Sequence, residues 1–104
     1  MTDAQGPFAT ESDVAESAAA ETWWLYLLAC KDGRTYAGIA MDVDARFRVH
    51  ASGKGSKFTR ANPPLEVLGA RPFATKSEAL RAEAALKRLK RPAKLVWARQ
   101  CIRP

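Results

Sequence analysis

"WWLYLLACKDGRTYAGIA", residues 23–40, holds two apolar runs of strand length separated by a turn, and the rest of the fold follows from this arrangement. The three residues "KDG" between the runs predict a hairpin loop, a type I turn followed by Gly33 in the left-handed conformation. A loop of this length pairs Cys30 with Arg34. The chain should therefore begin its ordered part with an antiparallel β-hairpin.

The register of this hairpin places the two tyrosines. A two-residue turn would put Tyr26 and Tyr36 on opposite faces, whereas the three-residue loop puts both on one face and sets Tyr26 opposite Gly38. An aromatic ring lying over Gly38 would explain why that position has no side chain.

A helix is predicted directly after the hairpin. Asp42 is a suitable N-cap, and Gly53 is placed to end the helix. Arg46 and His50 lie four residues apart and so share one flank. The apolar stripe of this helix consists of Val43, Phe47 and Ala51.

The remaining chain completes an α+β pattern of order β-β-α-β-α-α. Thr75 and Glu78 form a capping box, and Pro72 indicates an edge strand. The predicted elements are a loop over residues 52–64, a strand over 65–73, a helix from 75 to about Leu89, and a short last helix beginning near Pro92.

Charge divides the chain into two parts. Residues 1–22 contain five acids and no lysine or arginine, while the rest holds all 17 basic residues against six acids, a net charge of +11. We expect residues 1–22 to be a disordered acidic tail, with at most a marginal helix over Val14–Ala20, and residues 23–104 to form one domain. The basic domain predicts an anionic partner, most commonly nucleic acid.

The composition also bears on the cellular compartment. Cys30 and Cys101 lie in apolar surroundings without the spacing of a metal site, which favours reduced, buried thiols in the cytoplasm. No apolar run approaches the length of a membrane span, and the N-terminal residues do not resemble a secretory signal.

Glu83 is the most informative acid, because the helical pattern places it beside core positions. Two explanations stay open: an ion pair with Lys87 one turn later, or ligation of Mg²⁺ or Mn²⁺, which keep most of their waters when bound. Singly, Arg46, His50 and the tyrosines would be read as ordinary solvated or packed residues. Together they are the types that phosphodiester cleavage needs.

The pattern as a whole resembles the GIY-YIG nuclease domain, in its small stand-alone group. The matching motifs are "WLY" (residues 24–26), "YAG" (36–38), "DVDARFRVH" (42–50), "GKGSKFTR" (53–60) and "SEALRAEAALKRLKR" (77–91). The chain departs from the family pattern in having Trp24 for glycine, Ala37 for isoleucine, Ala40 for threonine and Lys94 where some members have asparagine.

The resemblance implies a central three-stranded antiparallel sheet flanked by helices, and a metal-dependent nuclease chemistry with one Mg²⁺ or Mn²⁺ ion per site. It implies catalytic roles for Tyr26, Tyr36, Arg46 and His50, and a metal-ligand role for Glu83. The expected nucleic-acid contacts are Lys54, Lys57, Arg60, Lys87 and Lys94.

Three functions are compatible with these features. The first is a magnesium-dependent endonuclease, acting on DNA with weak sequence specificity in repair or processing, with a partner protein as a source of specificity. The second is a catalytically weak nucleic-acid-binding module on the same fold. The third is a scaffold for a partner protein, in which the acidic tail acts as a lure for the partner or as an inhibitor of the basic face.

Overall fold

The structure is a computed structural model that describes residues 22–101. The predicted acidic tail and its marginal helix over Val14–Ala20 lie outside the described residues. The elements are β1 (Trp23–Cys30), β2 (Thr35–Ala40), α1 (Val43–Ala51), α2 (Lys57–Ala61), β3 (Pro64–Phe73), α3 (Lys76–Lys87) and α4 (Arg91–Arg99).

The hairpin has the predicted three-residue loop. The Cys30 amide donates to the Arg34 carbonyl at 2.9 Å, and the Gly33 amide donates to the Cys30 carbonyl at 2.9 Å. Gly33 has φ +92°, in the region that glycine adopts without strain. Tyr26 lies opposite Gly38, as the register required.

The sheet has the order β2-β1-β3, with both pairs antiparallel. The predicted α+β fold with a three-stranded antiparallel sheet is therefore confirmed. Strand β3 lies at an edge of the sheet. Among the described residues its outer side pairs with no other strand, so there is no ladder hydrogen bond on that side for Pro72 to remove. The β1–β3 register shifts at Leu27/Leu28 and at Ala29/Cys30, so the ladder is irregular near the hairpin turn.

Alternation along β1 builds two cores, one on each face of the sheet. Leu25 and Leu27 pack with Leu86 of α3 and Ala98 of α4. On the other face, the core against α1 consists of Tyr26, Leu28, Ala40, Val43 and Ala70. Helices α3 and α4 thus cover one face, and α1 covers the other.

The helix ends follow the sequence signals. Asp42 accepts a hydrogen bond from the Ala45 amide at 3.0 Å, and Gly53 follows α1 with φ +83°. Thr75 accepts from the Glu78 amide at 3.1 Å and begins α3, which ends at Lys87 rather than near Leu89.

The segment predicted as a loop over residues 52–64 contains an additional helix, α2. Ser56 caps it by accepting from the Thr59 amide at 3.2 Å, and the helix stops before Pro63 and Pro64. The observed order is therefore β-β-α-α-β-α-α. The difference arises because one turn of helix needs only a local cap and a stop signal, without an amphipathic repeat.

Both cysteines are free thiols, Cys30 buried and Cys101 half-buried. Burial raises the pKa of both thiols. Among residues 22–101, no helix has the length and apolar character needed to cross a membrane.

Candidate active site

A cavity of about 390 Å³ lies at the β2 edge of the sheet. Gly38 and Ile39 both line it, and successive strand residues such as these point to opposite faces of the sheet. Residues of α1 and α3 reach the cavity from these two faces. We call it the site cavity. Six residues predicted from the sequence line it: Tyr26, Tyr36, Arg46, His50, Lys54 and Glu83.

A chain of buried hydrogen bonds forms its inner wall. His50 Nε2 lies 3.1 Å from the Tyr26 hydroxyl, and His50 Nδ1 lies 2.9 Å from Thr59 Oγ1. Thr59 is 0% exposed, His50 3% and Tyr26 2%, so the three groups are shielded from bulk water. Such a buried network is stable only when its members are paired.

The hydrogen bonds of Thr59 favour one histidine tautomer. Thr59 Oγ1 donates its proton to the Ser56 carbonyl at 3.1 Å, so it accepts from His50 Nδ1–H. In a neutral imidazole the other nitrogen is then an acceptor, and the Tyr26 hydroxyl donates to Nε2.

The surroundings keep both groups neutral. Burial, followed by the nearby charge of Arg46, lowers the pKa of His50. Burial also raises the pKa of Tyr26 well above its usual value, with a further contribution from Tyr36. Tyr26 therefore remains a neutral phenol near pH 7, and this environment opposes its acting as a preformed phenolate base.

Two glycines leave space for the hydrogen-bonded side chains of Tyr26 and His50. A Cβ on Gly38 would lie 2.5 Å from the Tyr26 hydroxyl oxygen, and a Cβ on Gly55 would overlap the His50 ring. The ring of Tyr26 covers Gly38, as the hairpin register predicted. Larger residues at either position would push the tyrosine or the imidazole away.

Tyr36 forms the more open wall. It is half-buried, and its ring meets His50 edge-on with centroids 5.0 Å apart. On its other side it stacks with Phe58 of α2, with centroids 5.9 Å apart. Its position is thus set by α1 and α2 together.

Arg46 and Lys54 bring positive charge to the cavity. Both are exposed, and no carboxylate among residues 22–101 lies within ion-pair distance of either. Their donors are available to an anion that enters the cavity.

Glu83 is the one carboxylate among the described residues that line the site cavity. Its side chain is 17% exposed, and Oε2 lies 3.2 Å from Lys87 Nζ. Of the positions on α3 that the helical pattern places beside Glu83 on the core side, Ala79 and Leu86 are buried, whereas Leu80 is 45% exposed. The ion pair considered from the sequence is present, and the carboxylate also faces the site cavity.

The other predicted contacts lie outside the cavity. Lys87 pairs with Glu83, while Lys57 and Arg60 are exposed on α2. Lys94 lines a different cavity, near the hairpin turn. The structure thus gathers six of the ten predicted residues around one space and spreads the other four over its surroundings.

Sequence reasoning missed Gly55, Ser56, Phe58 and Thr59 as parts of the site. A signal was present: a serine followed by five residues without proline or glycine, then by Asn62 and two prolines, is compatible with a capped turn of helix. What the pattern could not give is the direction of Thr59 towards His50, because that depends on how α2 packs.

Comparison with known proteins places this arrangement in a family. The sequence profile of the GIY-YIG catalytic domain matches residues 22–96. A UPF0213 protein of Xanthomonas axonopodis pv. citri is 49% identical over 79 residues, which are 76% of this chain and 78% of that protein. A UPF0213 protein of Streptococcus pneumoniae serotype 4 is 49% identical over 71 residues, 68% of this chain and 72% of that protein.

A solved structure is similar to this chain in both sequence and fold. The solution NMR structure of a protein from E. faecalis is 36% identical to this chain, covers 75% of this chain and 83% of its own, and has a TM-score of 0.53. The profile match includes every strand of the sheet and all of the residues that line the site cavity. The chain therefore belongs to the GIY-YIG nuclease family.

Proposed function

We propose that this protein is a metal-dependent endonuclease that hydrolyses phosphodiester bonds of DNA with weak sequence specificity. The observation that carries the proposal is the meeting of a carboxylate, a guanidinium and a buried tyrosine–histidine pair in one cavity. These groups supply what the reaction needs: a metal ligand, a cation for the transition state and a path for the proton.

Glu83 fits a single hard divalent cation. Among residues 22–101 there is no group of three or more histidine, cysteine or acidic side chains that could enclose a metal. Mg²⁺ and Mn²⁺ suit such a sparse site, because Mg²⁺ commonly binds through one or two carboxylates, substrate phosphate and water. When bound, such an ion supplies Lewis-acid stabilisation of the charge that develops at the scissile phosphate.

The tyrosine–histidine pair gives a route for the proton of the attacking water. The water O–H bond breaks as the proton moves to the Tyr26 oxygen, while the Tyr26 proton moves to His50 Nε2. The lowered pKa of His50 keeps this acceptor neutral near pH 7. Thr59 holds the tautomer in which Nε2 can accept, and Tyr36 orients the water from the open wall.

Arg46 stabilises the charge that builds on the phosphate during attack. Its guanidinium can bind two phosphate oxygens at once, and it gains most where negative charge develops. Lys54 in the cavity, with Lys57 and Arg60 on α2, extends the positive surface along which the phosphate backbone would lie.

One observation favours a second candidate, a nucleic-acid-binding module with negligible turnover. Lys87 Nζ lies 3.2 Å from Glu83 Oε2 and would compete with a cation for that oxygen. The two candidates share the same binding surface and differ in whether the ion pair yields to a metal.

We further place this activity in the cytoplasm, in DNA repair or processing. The two free thiols suit a reducing compartment. Weak sequence specificity suits a role in which DNA structure or a partner protein directs cleavage.

The test is cleavage of labelled single-stranded, nicked, flapped, branched and duplex DNA with Mg²⁺, with Mn²⁺ and with EDTA. Arg46→Lys, purified in the same way, guards against a contaminating nuclease. We expect cleavage by the wild type with either metal, none in EDTA, and a loss of rate of about 10²-fold in Arg46→Lys. Binding without cleavage of any substrate would favour the second candidate.

A further inference from the structure

A second cavity of about 240 Å³ lies beside the hairpin turn. It is formed by the turn, the start of β2, helix α2 and the start of α4. Its lining consists of Gly33, Arg34, Thr35, Phe58, Arg91 and Lys94. The volume is below the range of about 300–1,000 Å³ typical of sites for drug-sized ligands, and is suited to a smaller unit.

Three of the six lining residues are cations. Arg34 pairs through Nε with Asp32 at 2.6 Å, and Arg91 donates to the Gly33 carbonyl. Since that ion pair uses only Nε, the terminal nitrogens of Arg34 remain available. With Lys94, the cavity therefore holds more positive charge than Asp32 offsets, and it favours an anionic group such as a phosphate.

Phe58 adds an aromatic surface to these cations. Its ring is half-buried, and the Arg34 guanidinium lies over it with the central carbon 4.9 Å from the ring centroid. Phenylalanine rings and guanidinium planes are the groups on which unpaired nucleobases stack. A cavity with cations and an aromatic wall thus suits a phosphate joined to a base.

The second cavity adjoins the site cavity. Phe58 lines the second cavity and Tyr36 lines the site cavity. The two rings stack with their centroids 5.9 Å apart. Arg34 directly precedes β2 and lies two residues before Tyr36, which places the two residues about 7 Å apart at a rise of about 3.4 Å per residue, and both side chains contact the Phe58 ring. One strand of nucleic acid can therefore enter both cavities at once.

We propose that the second cavity binds one unpaired nucleotide of the strand whose phosphate occupies the site cavity. The base lies against Phe58 and Arg34, and its phosphate contacts Lys94 and Arg91. A base inside a continuous duplex is stacked and paired, so it cannot enter. The inference rests on the proposed function and deepens it, because the substrate must then be single-stranded next to the cleaved bond.

The experiment measures binding by the full chain in EDTA, so that cleavage plays no part. Fluorescence anisotropy gives the affinity for a single-stranded oligonucleotide and for a duplex of the same sequence. The variants are Phe58→Leu, which keeps an apolar side chain without a ring, and Lys94→Ala. The matched control is Arg99→Ala, an exposed cation on the same helix as Lys94 but outside both cavities.

We expect Phe58→Leu to weaken single-strand binding about tenfold, as loss of one stacked base would. Lys94→Ala should weaken it about threefold more than Arg99→Ala does, as loss of one phosphate contact would. Duplex affinity should fall by a smaller factor than single-strand affinity in both variants, because a paired base does not reach the cavity. An oligonucleotide carrying 2-aminopurine should lose fluorescence on binding wild type and keep it with Phe58→Leu.

Equal losses for single strand and duplex would overturn the proposal, as would matching effects of Lys94→Ala and Arg99→Ala. Failure of wild type to bind either oligonucleotide would overturn it as well. Thermal unfolding checks that Phe58→Leu is folded, and Lys94→Ala decides the question if it is not. A wild type that binds as expected but never cleaves would refute the proposed function while leaving this cavity assignment intact.

Discussion

His50, whose imidazole is buried, is the residue on which the proposed chemistry of the site cavity depends. Its Nε2 lies 3.1 Å from the Tyr26 hydroxyl, and its Nδ1 lies 2.9 Å from Thr59 Oγ1. Because Thr59 donates to the Ser56 carbonyl, it accepts from Nδ1–H, and Nε2 is then the acceptor. Both tyrosines, the histidine and the arginine could be named from the sequence, because the hairpin register and the i, i+4 spacing bring them to one side. Thr59 could not, because its role arises from the packing of a helix that the sequence does not mark by periodicity.

Thr59→Val should slow cleavage while leaving nucleic-acid affinity in EDTA unchanged. The valine keeps the shape but leaves His50 Nδ1–H unpaired, so the imidazole can turn or change tautomer. We expect the rate to fall about tenfold. This loss is smaller than removal of the proton-transfer group itself would cause, because Thr59 only orients that group. The pH profile of the rate should also shift.

Thr59→Ser serves as the control, since it retains the hydroxyl and should restore most of the rate. If the valine and serine variants lose activity equally, Thr59 acts only by filling space, and its proposed role in orienting His50 is wrong.

Among the elements, the hairpin and α1 carry the side chains proposed to be catalytic, and α2 packs against them. The three-residue loop, the Asp42 and Thr75 caps and the edge position of β3 could all be predicted, because each depends on local turn or cap chemistry. Two other features could not be derived from local turn or cap chemistry. They are the strand order β2-β1-β3 and the presence of helix α2. They depend on long-range packing.

The packing of α2 against His50 should make stability depend on pH. Because the pKa of His50 is lowered in the folded state, the unfolded chain binds its proton more readily. This contribution to stability is complete above the unfolded pKa of about 6.5 and is lost as pH falls below it. We expect the Tm of wild type to drop between pH 7 and pH 5.

His50→Gln should reduce this pH dependence, because glutamine does not titrate in that range. The measurement is thermal unfolding by circular dichroism at half-unit steps of pH, without nucleic acid or metal. An equally steep fall in both proteins would assign the dependence to other groups.

At the scale of the whole molecule, charge is the dominant feature. Residues 23–104 carry a net charge of +11 beside an N-terminal segment with five acids and no basic residue. Charges held on one chain compete with an external polyanion at high effective concentration, and salt screens that competition. The acidic segment should therefore weaken binding to nucleic acid.

Removing residues 1–22 should tighten the affinity for DNA, more at low salt than at high salt. The measurement is a titration of labelled DNA in EDTA at several salt concentrations, for the full and the shortened chain. Equal affinities at the lowest salt would show that the acidic segment does not compete for the basic surface.

We propose that the Glu83 carboxylate holds the metal used for cleavage, and the Glu83→Gln variant tests this assignment. Glutamine keeps the shape but removes the charge that a hard cation requires. The matched control is Glu78→Gln, an exposed acid on the same helix outside the site cavity. Single-turnover cleavage is measured across a titration of Mg²⁺ and Mn²⁺, with affinity in EDTA and thermal stability recorded for each protein.

We expect Glu83→Gln to fold, to bind DNA in EDTA at least as tightly as wild type, and to lose cleavage by about 10²-fold or more, with Glu78→Gln unaffected. If Glu83 served only its ion pair with Lys87, its loss would cost about 0.3–0.5 kcal/mol of stability and leave cleavage intact. A folded Glu83→Gln that cleaves at the wild-type rate would contradict the metal assignment.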